Sequence, residues 1–215
     1  MKNIKAVLFD FDGTIFDTNK LIIDSWNEVF RIKGGSRTEE EILATFGEPL
    51  TVSMEKWFPG ESEECINIYR NYQRDIFFEK IELYEGMDEL IKKLKTLGVL
   101  NAVVTSRLAS STISTLEKYD LARYFDVIVT ANQISRSKPD PECYLLAAKL
   151  LDADIQNCYV FEDSLAGLAA GRAAGMTVVG LSTTLPFSRI EDKADIVISD
   201  FREFDFDKLM SIKRS

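Results

Sequence analysis

The most informative segment of this chain is Ala6-Val7-Leu8-Phe9-Asp10-Phe11-Asp12-Gly13-Thr14. Its first part, Ala6–Phe11, predicts a β-strand buried on both faces, because its leading residues are continuously apolar. Asp10 and Asp12 stand two positions apart, so an extended chain points both side chains the same way. Gly13 then permits a sharp turn. The segment therefore predicts a strand that delivers two carboxylates to one edge of a sheet.

Strand and helix patterns alternate along most of the chain. Further strands are predicted at Leu100–Thr105, Val127–Thr130, Cys158–Phe161, Thr177–Leu181 and Ile196–Ile198. Amphipathic helices are predicted between them, at about Asp88–Leu97, from Asp140-Pro141 and from about Leu165. The last of these carries a glycine at every fourth residue from Gly167, which we interpret as small residues that let the helix lie close to the sheet. This alternation predicts an α/β, Rossmann-like fold with a doubly wound parallel sheet.

Residues 18–82 break the alternation, because they contain helix signals and no convincing strand. Helical patterns cover Asn19–Arg31 and Glu61–Lys80, and Thr38 with Glu41 has the spacing of a capping box. We expect an all-α cap over the carboxyl ends of the strands, where open α/β sheets bind ligands. The predicted domains are a core of residues 1–16 and 83–215 and a cap of residues 17–82.

Composition excludes several mechanisms. The chain has 215 residues and no histidine, which excludes Ser-His-Asp hydrolases, phosphohistidine phosphatases and zinc sites that need histidine ligands. Any general acid or base must be a carboxylate, lysine, tyrosine or cysteine. The 26 Lys and Arg residues against 35 Asp and Glu residues give a net charge of −9, which argues against nucleic acid as a partner.

Cysteine spacing and hydropathy indicate the compartment. Cys65, Cys143 and Cys158 form neither a CxxC pair nor a metal-ligand pattern, so reduced thiols are expected. No apolar stretch approaches the roughly 18 residues of a membrane span, and no signal-peptide pattern precedes the first strand. We expect a cytoplasmic protein without a membrane partner.

Further polar groups follow other predicted strands. Thr105-Ser106 ends the second strand, Lys138 precedes a capped helix, and Glu162-Asp163 follows the strand Cys158–Phe161. Because the carboxyl ends of parallel strands share one sheet edge, we expect these groups to lie near the first two carboxylates. Hydroxyl and ammonium groups can bind a phosphoryl group, and carboxylates suit Mg²⁺.

Each of these groups also has a purely structural interpretation. Thr105-Ser106 can cap the following helix, Lys138 can be a solvated surface lysine, and Glu162-Asp163 can be an N-cap with favourable charge. The features nevertheless occur in order at successive strand ends, and this joint arrangement favours one shared site.

In order and residue type, these groups resemble the four signature motifs of the haloacid dehalogenase superfamily of phosphohydrolases, and the helical segment corresponds to that family's C1 cap. The motifs are Asp10-Phe11-Asp12-Gly13-Thr14, Thr105, Lys138 and Glu162-Asp163. Ser137–Pro141 and Phe161–Gly167 resemble the phosphoglycolate phosphatase and β-phosphoglucomutase branch. Phe46–Leu50 and Tyr69-Arg70 resemble the caps of phosphoglycolate phosphatases and related pyrophosphatases.

The resemblance implies a covalent mechanism. Asp10 would attack phosphorus and become an aspartyl phosphate. Asp12 would protonate the leaving oxygen and then deprotonate the water that hydrolyses the intermediate. Mg²⁺ would be held by the Asp10 carboxylate, the Asp12 main-chain oxygen and Asp163, with Glu162 either a ligand or a partner of one.

The same resemblance implies a phosphate-binding set. The Thr105 side chain, the Ser106 amide and Lys138 would hold the phosphoryl oxygens, and Thr105 and Lys138 would thereby take part in catalysis. Thr14 and Arg107 complete the candidate substrate-binding residues. Arg107 has two interpretations, since it either reaches the substrate or faces solvent.

Three functions are consistent with these residues. The leading hypothesis is a Mg²⁺-dependent phosphatase, a monomer or weak homodimer, acting on a small metabolite such as phosphoglycolate, pyrophosphate or a sugar phosphate. The alternative is a phosphosugar mutase, which is weakened because β-phosphoglucomutases carry an early cap histidine where this chain has Ile22. A phospho-accepting receiver module is a third hypothesis, but such modules are shorter and lack a helical insert after strand one.

Overall fold

The structure, a computed structural model, describes residues 4–202 and residue 208, so the predicted core domain extends beyond the described residues at both ends. A six-stranded parallel sheet has helices on both faces, and the predicted Rossmann-like α/β fold is confirmed. The strands are β1 (Ala6–Phe9), β2 (Phe16–Asp17), β3 (Glu82–Leu83), β4 (Leu100–Val104), β5 (Val127–Val129), β6 (Cys158–Glu162), β7 (Thr177–Leu181) and β8 (Ile196–Ile198). The helices are α1 (Asn19–Lys33), α2 (Glu39–Leu43), α3 (Leu50–Trp57), α4 (Ser62–Lys80), α5 (Met87–Thr96), α6 (Ala109–Lys118), α7 (Glu142–Leu150), α8 (Leu165–Ala173) and α9 (Phe187–Ile190).

The first strand lies in the middle of the sheet, in the order β5-β4-β1-β6-β7-β8. Ala6 pairs with Leu100 of β4 on one side and with Cys158 of β6 on the other. All four residues of β1 are buried, because separate apolar clusters cover the two faces of the sheet. The residues that follow β1, β4 and β6 therefore meet at the carboxyl edge of the sheet.

The predicted strands are present, and several of their ends move by one or two residues. β1 ends at Phe9, two residues before its predicted end, and β6 extends to Glu162, one residue beyond it. The amide of Asp10 still donates to the carbonyl oxygen of Phe161 at 3.0 Å. The Asp10 side chain thus emerges where the pairing of the central strand ends.

A short antiparallel pair, β2 with β3, joins the helical segment to the sheet and was missed by the sequence analysis. Phe16 pairs with Leu83, and Asp17 pairs with Glu82. Strands of two residues are too short to show an alternating pattern, which is why no strand was expected in this segment. The pair straddles both predicted boundaries between core and cap.

Helices α1 to α4 lie between these two short strands and have an apolar cluster of their own. Its centre is Trp26, whose ring centroid lies 4.6 Å from that of Trp57 and 5.7 Å from that of Tyr69. The predicted capping box is present: the Thr38 hydroxyl accepts the Glu41 amide at 3.2 Å, and the Glu41 carboxylate accepts the Thr38 amide at 2.8 Å. These helices are thus packed around aromatic rings, while Leu21 of α1 and Phe77 of α4 join the apolar cluster on one face of the sheet.

Two general properties bear on the chemistry. Cys65, Cys143 and Cys158 are buried, and none of the three is in a disulfide bond. Among the described residues, no helix is both long and apolar enough to cross a membrane.

Helix α8 lies close to the sheet because two of its buried residues are glycines. A Cβ atom on Gly171 would come within 3.0 Å of the Val178 side chain and 3.2 Å of the Val160 side chain. A Cβ atom on Gly167 would overlap the carboxylate of Glu162, at 1.8 Å. The predicted role of the glycine spacing, a close contact between helix and sheet, is confirmed.

The substitution Gly167→Ala tests this contact. In an exposed helix interior, glycine to alanine stabilises by about 1 kcal/mol. Here the added methyl group must displace the Glu162 carboxylate, so we expect a loss of roughly 1–3 kcal/mol in the free energy of unfolding, measured by urea titration. Ala169→Gly, on the exposed side of the same helix, is the control, with an expected loss of about 1 kcal/mol. A stabilised Gly167→Ala protein would contradict the contact.

Candidate active site

Three carboxylates and one lysine meet at the carboxyl edge of the sheet. The Nζ atom of Lys138 lies 2.6 Å from Asp10 Oδ1 and 2.5 Å from Glu162 Oε1, and it donates to the carbonyl oxygen of Val104 at 3.1 Å. Carboxylate oxygens of Asp10, Glu162 and Asp163 all lie within 4.8 Å of one another. The structure therefore brings together the predicted residues that follow β1, β5 and β6.

The loop that carries Lys138 is fixed by the start of helix α7. Asp140 accepts the Glu142 amide at 2.9 Å. The N-cap position is Pro141 and the helix begins at Glu142, each one residue later than predicted. The Glu142 carboxylate in turn accepts the amides of Ser135 at 2.8 Å and Arg136 at 2.9 Å. These bonds hold the loop on both sides of the lysine.

The purely structural interpretations of these groups are wrong. Lys138 is 3% exposed and is not a surface lysine. The N-cap of α6 is Leu108 without a side-chain hydrogen bond, so Thr105-Ser106 does not cap that helix. The N-cap of α8 is Ser164, whose own hydroxyl accepts the capping bond, so Glu162-Asp163 does not fill that position.

Glu162 is completely buried and holds the lysine in place. Its Oε1 atom accepts from Lys138 and, at 2.8 Å, from the Tyr144 hydroxyl. Its Oε2 atom accepts from the Asp163 amide at 3.2 Å and from the Ser164 amide and hydroxyl at 3.3 and 3.0 Å. Since Oε1 accepts two protein donors and Oε2 accepts three, whereas each oxygen of Asp163 accepts one side-chain hydroxyl, the geometry favours Glu162 as a partner of the site over a direct metal ligand.

Asp163 is held by hydroxyl groups from two distant turns. Its Oδ1 atom accepts from the Thr14 hydroxyl at 3.0 Å, and its Oδ2 atom accepts from the Thr184 hydroxyl. Asn19 Oδ1 lies 3.1 Å from the same Thr184 oxygen. Thr14 was expected to bind substrate, but its buried hydroxyl faces the carboxylate, because a buried hydroxyl needs a polar partner. It positions Asp163.

Burial and like charge alter the titration of the cluster. Burial raises the pKa of Asp163 to about 7, and the neighbouring Glu162 carboxylate adds to this effect. Burial also raises the pKa of Asp10 well above its usual value, against the attraction of Lys138. Burial alone would lower the pKa of Lys138, but the attraction of Asp10 and Glu162 outweighs it and raises that pKa. The lysine therefore stays protonated.

The donor set fits a divalent metal ion that prefers oxygen. The site contains four carboxylates and two cations, so its fully ionised form carries two excess negative charges. These groups are Asp10, Asp12, Glu162 and Asp163 with Lys138 and Arg107. The raised pKa values of Asp10 and Asp163 arise from burial and from this excess. Carboxylate oxygens are the ligands that Mg²⁺ takes. Asp10 and Asp163 are the two carboxylates best able to offer it an oxygen.

The second aspartate of the first motif has a different partner. Asp12 Oδ1 lies 2.8 Å from Nη1 of Arg107, which extends from the segment after β4. The Arg107 side chain is 14% exposed, so of its two interpretations the solvent-facing one is wrong. The structure thus separates the two aspartates: Asp10 pairs with a lysine and Asp12 with an arginine.

The helical segment touches the core at the site itself. The hydroxyl of Ser106 donates to the carbonyl oxygen of Gly47 at 2.9 Å. Gly47 has a φ of 82°, and a Cβ atom there would lie 2.4 Å from the Ser164 hydroxyl. Only glycine allows this loop to approach the core so closely, and the contact closes one side of the site.

A cavity of about 660 Å³ lies between this loop, helix α4 and the carboxyl edge of the sheet. Core residues that line it are Asp10, Asp12, Thr105, Ser106, Arg107 and Asp163. Residues of the helical segment that line it include Ile22, Trp26, Phe46, Glu48, Tyr69, Gln73 and Phe77. Polar groups of the core therefore face a cavity whose other wall combines apolar and aromatic side chains with polar ones, among them Arg70 and Arg74, which is a typical form for a small-molecule site.

The family follows from comparison with known proteins. A family model described as haloacid dehalogenase-like hydrolase matches residues 7–181, which is most of the chain. The chain belongs to this family. The resemblance noted in the sequence is thereby confirmed, and the protein is an enzyme of the hydrolase class.

Individual relatives of this haloacid dehalogenase-like hydrolase share its fold, and some of them are named for an activity. The pyrophosphatase PpaX of Bacillus velezensis is 30% identical over 185 residues, covering 86% of each chain. A HAD hydrolase of family IA, variant 3, from Entamoeba histolytica has a TM-score of 0.86 at 25% identity, over 97% of this chain and 98% of that one. The β-phosphoglucomutase of Clostridium difficile has a TM-score of 0.85 at 23% identity, over 96% of each chain, and shows a shared fold.

Supporting residues of this hydrolase were missed by the sequence analysis. Tyr144 lies on the buried side of α7, and its position among apolar neighbours was a usable signal, because a buried tyrosine hydroxyl usually finds a partner. Thr184 follows β7. The reasoning that identified Thr105, a polar residue just after a predicted strand, could have identified Thr184 as well. Asn19 offers no such local signal, since its contact with Thr184 spans 165 positions.

Replacing the buried lysine tests the charge balance. Lys138→Met leaves Asp10 and Glu162 without their cation, so we expect a loss of about 3–5 kcal/mol in the free energy of unfolding without added metal. Burial already holds the folded-state pKa of Asp10 above its unfolded value, and loss of the Lys138 charge that lowers it raises that pKa further. The loss should therefore be larger at pH 8 than at pH 5, where protonation relieves it. Urea unfolding in a chelator measures this.

The matched control is Lys20→Met, because Lys20 is 76% exposed and pairs with Asp24 on the surface of α1. Its effect should be about 0–1 kcal/mol and nearly independent of pH over the same range. A Lys138→Met protein as stable as wild type at pH 8 would contradict the buried ion network.

Proposed function

We propose that this protein is a Mg²⁺-dependent phosphatase that hydrolyses a small phosphorylated metabolite through an aspartyl phosphate on Asp10. The observation that carries the proposal is the Asp10 carboxylate itself, which emerges at the end of the central strand, is held by Lys138 and lines the cavity. A buried carboxylate beside a fixed cation can act as a nucleophile toward phosphorus. Family membership supports this chemistry.

In the first step, an Asp10 oxygen forms a bond to phosphorus while the bond from phosphorus to the leaving oxygen breaks. Asp12 gives its proton to that leaving oxygen. Phosphoryl transfer needs mainly positioning and charge stabilisation, and the Lys138 ammonium supplies both at the attacking side. Thr105 and the Ser106 amide are at the same sheet edge and complete the set proposed to bind the phosphoryl oxygens.

In the second step, water attacks phosphorus and releases the Asp10 carboxylate. Asp12 now takes the proton from this water, so one carboxylate serves first as acid and then as base. The pairing of Asp12 with Arg107 holds it at the cavity wall, within the space that the leaving group and the water would share in turn. This division of roles works without histidine.

Mg²⁺, when bound, would neutralise charge on the phosphoryl oxygens and on the acidic cluster. Asp10 and Asp163 would hold it, with the Asp12 main-chain oxygen as a third ligand inferred from the family resemblance. Thr14 and Thr184 keep the Asp163 carboxylate oriented. Glu162 keeps Lys138 in place beside it.

The substrate class is the part of the proposal that the relatives inform. Relatives such as the Bacillus velezensis protein are named pyrophosphatase PpaX, which makes pyrophosphate the first substrate to test. Phosphoglycolate and sugar phosphates are the others that the cap resemblance suggests. A phosphate-release screen over these compounds, with and without Mg²⁺, would rank them.

A phosphosugar mutase is the second candidate, favoured by the shared fold with a β-phosphoglucomutase. Ile22 lines the cavity at the position where the mutase resemblance calls for histidine. A β-sugar phosphate supplied with a catalytic amount of its bisphosphate separates the two. Isomer formation without stoichiometric phosphate release would establish the mutase and overturn the phosphatase.

Substitution of the two aspartates should have different effects. Asp10→Asn removes the nucleophile, so phosphoenzyme and turnover should both be lost. Asp12→Ala should slow turnover by roughly 10²–10⁴-fold for poor leaving groups and least for good ones such as nitrophenol. Steady-state assays and acid-quenched intact mass measure these effects, and Asp192→Asn, an exposed surface change, is the control. Near-normal activity of Asp10→Asn would rule out the covalent mechanism.

Metal binding should depend on pH because it competes with protons. Since burial raises the pKa of Asp163 to about 7, Mg²⁺ must displace a proton below that pH. The apparent dissociation constant of Mg²⁺, taken from activity or calorimetry, should be about tenfold higher at pH 6 than at pH 8. Asp163→Asn should weaken binding at both pH values and flatten the dependence. Equal Mg²⁺ affinity at pH 6 and pH 8 in wild type would contradict this assignment.

A further inference from the structure

Arg107 occupies a fixed position between the core and the helical segment. Its guanidinium carbon lies 5.1 Å from the ring centroid of Phe11 in the core and 4.7 Å from that of Phe77 in α4. Its Nη1 atom bonds Asp12 at 2.8 Å. Two ring faces and one carboxylate thus hold the cation with little freedom to move.

One donor of this guanidinium has no acceptor. The Nε atom of Arg107 is buried and has no hydrogen-bond partner among the described residues. A buried N–H group left unpaired is costly, and such groups normally find a partner. Because the Arg107 side chain lines the cavity and keeps 14% of its surface exposed, its guanidinium can reach an oxyanion of a bound molecule.

Helix α4 adds polar groups next to this donor. Tyr69, Gln73 and Phe77 are spaced four residues apart and line the cavity from one face of the helix. The Tyr69 hydroxyl bonds Gln73, and its pKa is raised by burial and then by the nearby charge of Asp12. Tyr69 therefore lines the same cavity as Asp12 and Arg107.

The charged residues that line the cavity favour a cation next to Asp12. Asp10, Asp12, Glu48 and Asp163 line it together with the arginines Arg70, Arg74 and Arg107. A leaving group with its own negative charge would be repelled by the Asp12 carboxylate unless a cation lies beside that carboxylate. Arg107 is the arginine that touches Asp12 directly and can offset that repulsion.

We propose that Arg107 determines specificity by binding an oxyanion of the leaving group. The substrate class is a phosphoryl group joined through oxygen to a small group that itself carries an oxyanion, either a second phosphate or a carboxylate. This inference rests on the proposed function and specifies which phosphate compounds the site accepts. Phe11 and Phe77 orient the guanidinium, and Tyr69 lies beside it.

The step balances without a further reactant. An Asp10 oxygen forms the bond to phosphorus, and the electron pair of the breaking P–O bond stays on the bridging oxygen, which takes the proton of Asp12. The departing group leaves as phosphate or as a hydroxy acid. Arg107 keeps its proton throughout and stabilises the charge that grows on the departing group.

The test compares Arg107→Gln with wild type on three substrates. Two carry the oxyanion, pyrophosphate and phosphoglycolate, and the third, hydroxyethyl phosphate, has a neutral hydroxymethyl group in place of the carboxylate of phosphoglycolate. We expect kcat/KM to fall roughly 10- to 150-fold for the oxyanion substrates that wild type hydrolyses, as for loss of a hydrogen bond to a charged group. Because Arg107 also holds Asp12, the rate with hydroxyethyl phosphate should fall as well, but about tenfold less than the rates with the oxyanion substrates. Loss with only one of the two oxyanion substrates identifies phosphate or carboxylate as the natural group.

A matched control and a binding measurement accompany these assays. Arg123→Gln removes an arginine that likewise pairs with an aspartate, at 2.7 Å from Asp120, and lies 5.0 Å from the ring of Tyr124, but is 63% exposed. It should leave all three rates unchanged. Thermal unfolding of both variants verifies the fold. Methylenediphosphonate is not hydrolysed, so its binding can be measured by calorimetry. Binding should be weaker in Arg107→Gln than in wild type and unchanged in Arg123→Gln.

The outcomes separate this inference from the proposed function. An equal fall for all three substrates would mean that Arg107 acts only through Asp12, and would overturn the inference while leaving the phosphatase intact. Unchanged kinetics and unchanged diphosphonate binding would also overturn it. A third outcome is that wild type hydrolyses none of the substrates but binds the diphosphonate, and that Arg107→Gln weakens this binding. That result would support the subsite and overturn the proposed function.

Discussion

The buried ammonium of Lys138 is the constraint on which the rest of the site depends. A lysine that is 3% exposed must have its charge balanced within the protein, and Asp10 and Glu162 do this from two different strands. The lysine thereby fixes the loop before α7 to the ends of β1 and β6. Glu162 can serve this role only because Gly167 leaves room for its carboxylate beneath α8.

The same balance determines what the site can do. One cation cannot neutralise the whole acidic cluster, and the raised pKa values of Asp10 and Asp163 follow from burial and from the remaining negative charge. A chain with a net charge of −9 can therefore bind an anion only through local cations. Lys138 lies at the attacking side of the proposed reaction and Arg107 at the departing side, so the two cations bracket the bond that breaks.

The sequence was sufficient for the parts of the molecule that have local patterns. The buried strands, the capping box at Thr38 and the strand-end residues Asp10, Lys138 and Asp163 are all found where they were predicted, because burial, capping and strand ends each leave a mark within a few residues. Contacts between distant turns leave no such mark. For this reason Thr14 was assigned to substrate while its hydroxyl holds Asp163, and the β2–β3 pair was missed.

Stereochemistry at phosphorus tests the central claim most directly, because it counts the transfers. A monoester made chiral at phosphorus with oxygen isotopes is hydrolysed in isotopically labelled water, and the configuration of the released phosphate is determined. Transfer to Asp10 followed by transfer to water inverts phosphorus twice, so the account predicts overall retention. Overall inversion would show a single direct attack by water and would contradict the covalent role of Asp10.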